Sequence, residues 1–261
     1  MTTAIQRPER PPIDYPDSDG LPIADNTLQY EWIVTLKGGL DAIFVDDPNV
    51  FVAGDLLWYP VKGEPTIRSA PDAMVAFGRP KGYRGSYKQW EEEDVAPQVV
   101  FEVLSPGNRP REIIRKFQFY EQYGVEEYYI YDPDHGNLDG WRRRGDHLEE
   151  VSEMANFISP RLGIRFDPGP GRDNLGIFGP DGARFLTFAQ WVEKSKTDQR
   201  RVEAAVETAA EQVRLAAVER QRADNERQRA DDERQRADDE RQRAERLGAR
   251  LRELGIEPDI E

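Results

Sequence analysis

The chain has no cysteine and only two histidines, His135 and His147, among its 261 residues. Without thiols there is neither a disulfide framework nor a thiolate metal site, and two imidazoles cannot by themselves complete a zinc centre. A divalent cation would therefore be held by oxygen, which favours magnesium or manganese. Long apolar runs are also missing. No stretch approaches the ~18 apolar residues of a membrane span, and the opening "MTTAIQRPERPPIDYPDSDG" lacks a basic start followed by an apolar segment. A soluble, cytoplasmic protein without membrane contact is expected. Positive charge is scarce as well: 50 acidic against 36 basic side chains give a net charge of -14. That balance excludes a broad basic surface for nonspecific nucleic-acid binding and leaves local or metal-assisted contact.

What is present falls into segments. Residues 1–24 are rich in Pro and Asp and read as an extended arm. Residues 25–195 have mixed composition, with aromatics, Gly and Pro throughout, and form the candidate folded domain. Residues 196–254 are dominated by Arg, Glu, Asp, Gln and Ala, and 255–261 are a short tail. Within the domain, Leu28, Trp32, Leu36, Leu40 and Ile43 recur at helical spacing behind Asp25 or Asn26 as N-cap, although Gly38-Gly39 weakens that helix toward its end. Strand-like runs follow in "NVFVAGDLLWYP" and "PDAMVAF", then a polar loop. A second helix is predicted from Arg109 to Tyr123, with Pro110 in its first turn and Gly124 to stop it. "VEEYYIYDP" reads as a strand, "LDGWRRRGDHLEEV" as a hairpin, and a last short helix is predicted from near Thr187. Strands alternating with helices indicate an α/β core with a mixed sheet.

The run "PQVVFEVLSPGN" at 97–108 reads as a buried strand closed by Ser105, Pro106 and Gly107, yet Glu102 stands in its middle. An unpaired carboxylate there is costly, so Glu102 must face solvent, pair with a cation or hold a metal ion. If it is uncompensated, replacing it with glutamine should stabilise the metal-free protein. Thirty residues earlier, Asp72 heads another strand-like run. Two such acids can converge on one divalent ion, although an acid after proline is also an ordinary strand-start residue.

From Glu219 the pattern ERQRADN, ERQRADD, ERQRADD, ERQRAER repeats every seven residues. Each heptad offers one small apolar residue (Ala223, Ala230, Ala237, Ala244), with Arg227, Arg234 and Arg241 at the alternate core position. An exposed helix laced by i,i+4 pairs and a weak coiled coil both fit. Val202, Val206, Ala209 and Val213 give a better seam upstream, and Leu247, Leu251 and Leu254 could anchor the far end, so a homo-oligomer through this helix is expected to be weak.

The combination of Pro71-Asp72, "FEVLSP" at 101–106, Lys116 with Tyr120, "YGVEEYYIYDP" from Tyr123 and the closing "LRELGIEPD" resembles the Uma-two (Uma2) family of restriction endonucleases, within the PD-(D/E)XK nuclease superfamily. The resemblance spans about residues 20–190. It implies a restriction-endonuclease-like α/β fold with a four-stranded mixed sheet flanked by helices, followed here by the long charged helix. It further implies magnesium- or manganese-dependent cleavage of DNA, with Asp72 and Glu102 as metal ligands. The superfamily's lysine lies two residues after the second acid, where this chain has Leu104. In relatives the lysine looks displaced to the next helix, where Lys116 is the match. At ~100° per residue Lys116 borders that helix's apolar face, and an exposed Glu112–Lys116 pair is the ordinary alternative.

Two further acids are candidates: Glu31, because related nucleases add an acid from the first helix, and Asp55, either a turn residue or a ligand. For DNA contact the loop with Arg79, Lys81, Arg84 and Lys88, interleaved with Tyr83, Tyr87 and Trp90, could neutralise phosphates and stack bases; a solvated structural loop fits equally. Ser105 lacks the GxSxG context of a hydrolase nucleophile. A metal-dependent DNA endonuclease leads. Its rivals are an inactive nuclease-fold scaffold working through the charged helix, and a nuclease acting on RNA.

Overall fold

In the computed structural model, residues 13–20, 22–169, 171, 174–253 and 255 are described; the first twelve positions of the arm, Leu254 and residues 256–261 of the tail lie outside the described residues. The chain divides into two units, residues 1–192 and 193–261. The first opens with helix α1, Thr27–Ile43, capped by Asn26, whose side chain accepts from Gln29 N at 2.8 Å. Helix α1 runs through Gly38-Gly39 without breaking. Gly39 is required there for close packing, since a Cβ would lie 2.1 Å from the ring of Phe185.

Ten short strands follow among the described residues: β1 Val50–Ala53, β2 Trp58–Tyr59, β3 Ala73–Phe77, β4 Tyr87–Lys88, β5 Val99–Val103, β6 Glu127–Asp132, β7 Asn137–Arg144, β8 His147–Glu150, β9 Arg165–Pro168 and β10 Leu175–Phe178. Helix α2, Pro110–Gln122, crosses between β5 and β6 and ends before Gly124, which takes φ +95. The main sheet has six strands in the order β1-β3-β5-β6-β7-β8, rather than the four expected. Only β5 and β6 are parallel within it, joined by α2 as a crossover, and the expected hairpin at 138–150 forms β7 and β8. Two small sheets, β2-β4 and β9-β10, flank it.

Strand alternation sorts the core into two layers. Val99, Phe101 and Val103 of β5 join Leu36 and Leu40 of α1, Phe166 of β9 and Ile177 of β10 on one face. Val100 points the other way, with Met74, Trp58, Tyr120 and Tyr128, against Ile113 and Phe117 of α2. The same period of two sends Glu102 toward α2.

Within the first unit, residues 13–20 of the arm pack against the folded domain. Tyr15 meets Tyr59 edge-to-face at 5.2 Å, and Tyr59 Oη donates to Pro16 O at 2.6 Å.

The short helix expected near Thr187 and the charged repeat form one helix, α3, Phe188–Glu253. No glycine or proline interrupts the join, so nothing in the sequence ends the first piece. Val202, Val206, Val213 and Leu247 are exposed along it. Among the described residues no helix is long and apolar enough to cross a membrane.

Candidate active site

Register brings the two sequence-predicted acids together. Strands β3 and β5 are antiparallel, with Ala73 opposite Phe101, so one step further sets Asp72 opposite Glu102 on the α2 side. Directly opposed like charges destabilise a sheet, and this pair is buried at 8% and 5% exposure. Three donors answer it. Val103 N donates to Asp72 Oδ2 at 2.6 Å, Lys116 Nζ donates to Glu102 Oε2 at 2.7 Å, and Tyr120 Oη donates to Glu102 Oε1. Lys116 and Tyr120 are one helical turn apart on α2 and therefore share the face that covers Glu102.

The electrostatics follow from this crowding. Burial first, and the Glu102 charge second, push the Asp72 carboxyl well above the usual carboxylate range, against the pull of Lys116 and the Val103 N–H. Burial alone would lower the Lys116 ammonium, but the Glu102 and Asp72 charges outweigh it and raise its pKa, so it stays charged. Burial, then Glu102, also raises the Tyr120 phenol, keeping it a donor.

Asp72, Glu102 and Lys116 line a cavity of ≈ 30 Å³ with Gln29, Asn108 and Tyr128. That volume suits an ion or a water rather than a nucleotide. Tyr128 Oη is buried with no hydrogen-bond partner among the described residues, an orphaned polar atom of the kind that marks a bound ion or water. Among the described residues no group of three or more His, Cys, Asp or Glu could hold a metal. Two carboxylates with room for water fit magnesium or manganese, which keep several waters, better than a closed protein cage. When bound, such an ion lowers the pKa of a coordinated water and neutralises charge on a phosphate.

The Uma2 family model, described as "Putative restriction endonuclease", matches residues 31–167, more than half of the chain. The chain belongs to the Uma2 family. Among solved structures it is similar to a "putative nuclease belonging to DUF820" from Anabaena variabilis ATCC 29413, at 14% identity over 53% of this chain and 75% of that chain, with a TM-score of 0.41. No curated protein matches.

The other sequence candidates in this Uma2 domain lie outside the cavity lining. Asp55 sits in the turn between β1 and β2 at φ +48. The residue as a whole is exposed, but its carboxyl is partly covered, close enough to feel both Lys116 and Glu102, and is pushed up to about 6 chiefly by that burial and then by Asp19. Glu31 is exposed on α1, and the cavity takes Gln29 from that helix instead. The basic loop is internally paired. Arg84 grips Glu92 at 2.5 and 3.0 Å and lies 3.9 Å from the Phe51 ring centroid, while Arg79 pairs with Glu93 at 2.9 Å. Lys81 donates to Phe44 O and, at 2.9 Å, to Val45 O, and Lys88 lies 4.0 Å from Glu91. The hydrogen bond of Lys116 goes to Glu102, and Glu112 acts on it only as a more distant charge.

Three residues of the cavity lining carry little signal in the sequence. Gln29 Nε2 donates to Val103 O at 2.8 Å, so residue Val103 is held at both its N–H and its carbonyl. In sequence it is one more polar residue on an amphipathic helix. Asn108 Oδ1 accepts from Ser105 N at 2.7 Å and closes the turn after β5. Tyr128 reads as an ordinary core aromatic. Ser105 donates to Asp25 at 2.6 Å, a structural tie rather than a nucleophile's setting.

Proposed function

We propose that the chain is a divalent-metal-dependent endonuclease that hydrolyses DNA phosphodiester bonds, with Asp72 and Glu102 as the magnesium or manganese ligands. One observation carries the reading: two buried, opposed carboxylates share a small cavity with a charged lysine. Strand interiors avoid such an arrangement unless a cation is part of the design. Asp72 and Glu102 bind and orient the ion. Tyr120 fixes the rotamer of Glu102, and Gln29 fixes the Val103 peptide beside it. Lys116 supplies a preorganised positive charge for the developing charge on the phosphate, the task given elsewhere to a lysine at the Leu104 position. Because the Arg79, Lys81, Arg84 and Lys88 side chains have partners within the fold, DNA contact through them is confined to whatever charge their acidic neighbours leave unbalanced. Weak self-association through Val202, Val206 and Val213 of α3 completes the proposal.

A second reading, an inactive nuclease-fold scaffold, draws on a specific feature: both oxygens of Glu102 are already hydrogen-bonded without a metal. Cleavage of supercoiled, linear and branched DNA with magnesium and manganese separates the two. The nuclease reading expects metal-dependent nicking that Glu102→Gln abolishes and Lys116→Ala slows by ~100-fold or more, as for loss of one charge-stabilising donor. Equal cleavage by the parent and Glu102→Gln refutes the site.

A further inference from the structure

The two donors to Glu102 differ in kind. Tyr120 is completely buried, its ring parallel to Trp58 at 6.3 Å and its hydroxyl 3.0 Å from Ser69 Oγ. It is locked from both ends. Lys116 reaches Glu102 at the tip of a flexible four-carbon stem, and 26% of its side chain is exposed. Its ammonium also feels the charges of Asp72 and Glu112. It therefore occupies the part of the cavity where negative charge converges, which is the position a divalent cation would seek. The orphaned Tyr128 hydroxyl borders the same space.

We propose that Lys116 is a built-in competitor of the divalent cation: its ammonium balances Glu102 in the metal-free protein and yields Oε2 when the ion enters, while Tyr120 holds Oε1. This rests on the metal-site reading above and adds the order of events within it. A compact, strongly hydrated ammonium on a long stem can withdraw at small cost, whereas a phenol packed against Trp58 cannot. The exchange leaves Glu102 paired with a cation at each stage, so folding does not wait on metal. It also delivers a free ammonium beside the cavity only when an ion has arrived. The opposite reading makes Lys116 a permanent brace of Glu102, in which case its loss loosens the carboxylate and weakens the site. Tyr120 is a positioning residue in either case, acting through Glu102.

The test is calorimetric titration of the full chain with manganese, at about 0.1 M and about 1 M salt, where the screening length falls from ~10 to ~3 Å. The parent is compared with Glu102→Gln, Lys116→Met, Lys116→Gln, Tyr120→Phe and Ser69→Ala, each checked for native circular dichroism. Removing the competing hydrogen-bonded charge should tighten binding about tenfold in both Lys116 variants, at both salt concentrations. Tyr120→Phe should weaken binding several-fold, and Ser69→Ala should do so to a smaller degree, with Lys116 intact. Lys116 variants that bind no tighter overturn the exchange, as does a gain that vanishes at high salt, which would reveal through-space repulsion alone. If Glu102→Gln abolishes binding but the Lys116 variants show no gain, only the exchange fails. If Glu102→Gln binds like the parent, or neither the parent nor the Lys116 variants bind, the metal-site reading falls with it.

Discussion

At residue scale the cost of placing Glu102 inside a strand is offset by partners rather than avoided. Because Lys116 and Tyr120 satisfy both oxygens, Glu102→Gln strands an ammonium that is three-quarters covered. The expected outcome is therefore a loss of about 1 to 3 kcal/mol in denaturant unfolding without metal, smaller than for a fully buried pair because Lys116 is partly solvated. This reverses the gain expected for an uncompensated carboxylate. Asp55 gives a pH signature. Partial burial, and then the Asp19 charge, push its carboxyl up to about 6 from the ordinary 3.8, so the native state holds the proton more tightly. That contribution is complete below pH ~4 and is lost as pH rises through 6. Asp55→Asn should flatten this part of the stability profile, and an unchanged slope would show that Asp55 is solvated like any surface acid. The acids of the site were legible in sequence because a charge inside an apolar run is conspicuous. Lys116 was legible only through family likeness, since a helical Lys four residues after a Glu has an ordinary explanation. Gln29 and Tyr128 were not legible, because their roles depend on which strand faces them. The pairing of Arg84 with Glu92 was missed for a related reason: both lie in one polar loop, and only its folded path shows that they neutralise each other.

At the scale of elements, α1 illustrates how a weak local signal is overridden by packing. Two adjacent glycines lower helix propensity by up to ~1 kcal/mol each, yet the helix continues to Ile43 because the space a side chain would fill at Gly39 holds Phe185. Gly39→Ala should destabilise the protein by about 1 to 3 kcal/mol despite the better helix former, because a buried ring must move. Gly38→Ala, with open space around it, should be neutral or mildly stabilising; thermal unfolding of the two variants gives the comparison. Most strands were readable from their residues, and the hairpin at 138–151 from its turn, but β4 lies in the segment read as a polar loop and β10 in one given no strand. The order of strands was not, since pairing β5 with both β3 and β6 depends on a helical crossover whose partners lie far apart in sequence. The continuity of α3 from the short helix expected near Thr187 into the charged repeat was hidden by the change in composition, which alters what faces solvent without altering helix propensity.

At the scale of the whole molecule, residues 193–261 form a unit apart from 1–192, and the described helix within them has no buried side chain. Deleting residues 197–261 should leave a first unit that unfolds cooperatively near the parent's midpoint, because its two apolar layers are drawn from residues 24–185. In sedimentation velocity, any concentration-dependent association of the parent should disappear with the deletion. Aggregation of the shortened chain would mean that the core needs the helix. The repeat itself has a further consequence. Seven residues turn an α-helix by ~700°, only ~20° short of two full revolutions, and advance it by ~10.5 Å. Inserting or losing one ERQRADD block would lengthen or shorten the rod by that step and nearly restore the angular placement of every stripe. Near-identical blocks in tandem are also prone to misalign when the gene is copied. The length of this helix can therefore drift in discrete increments between generations while residues 1–192 are left untouched.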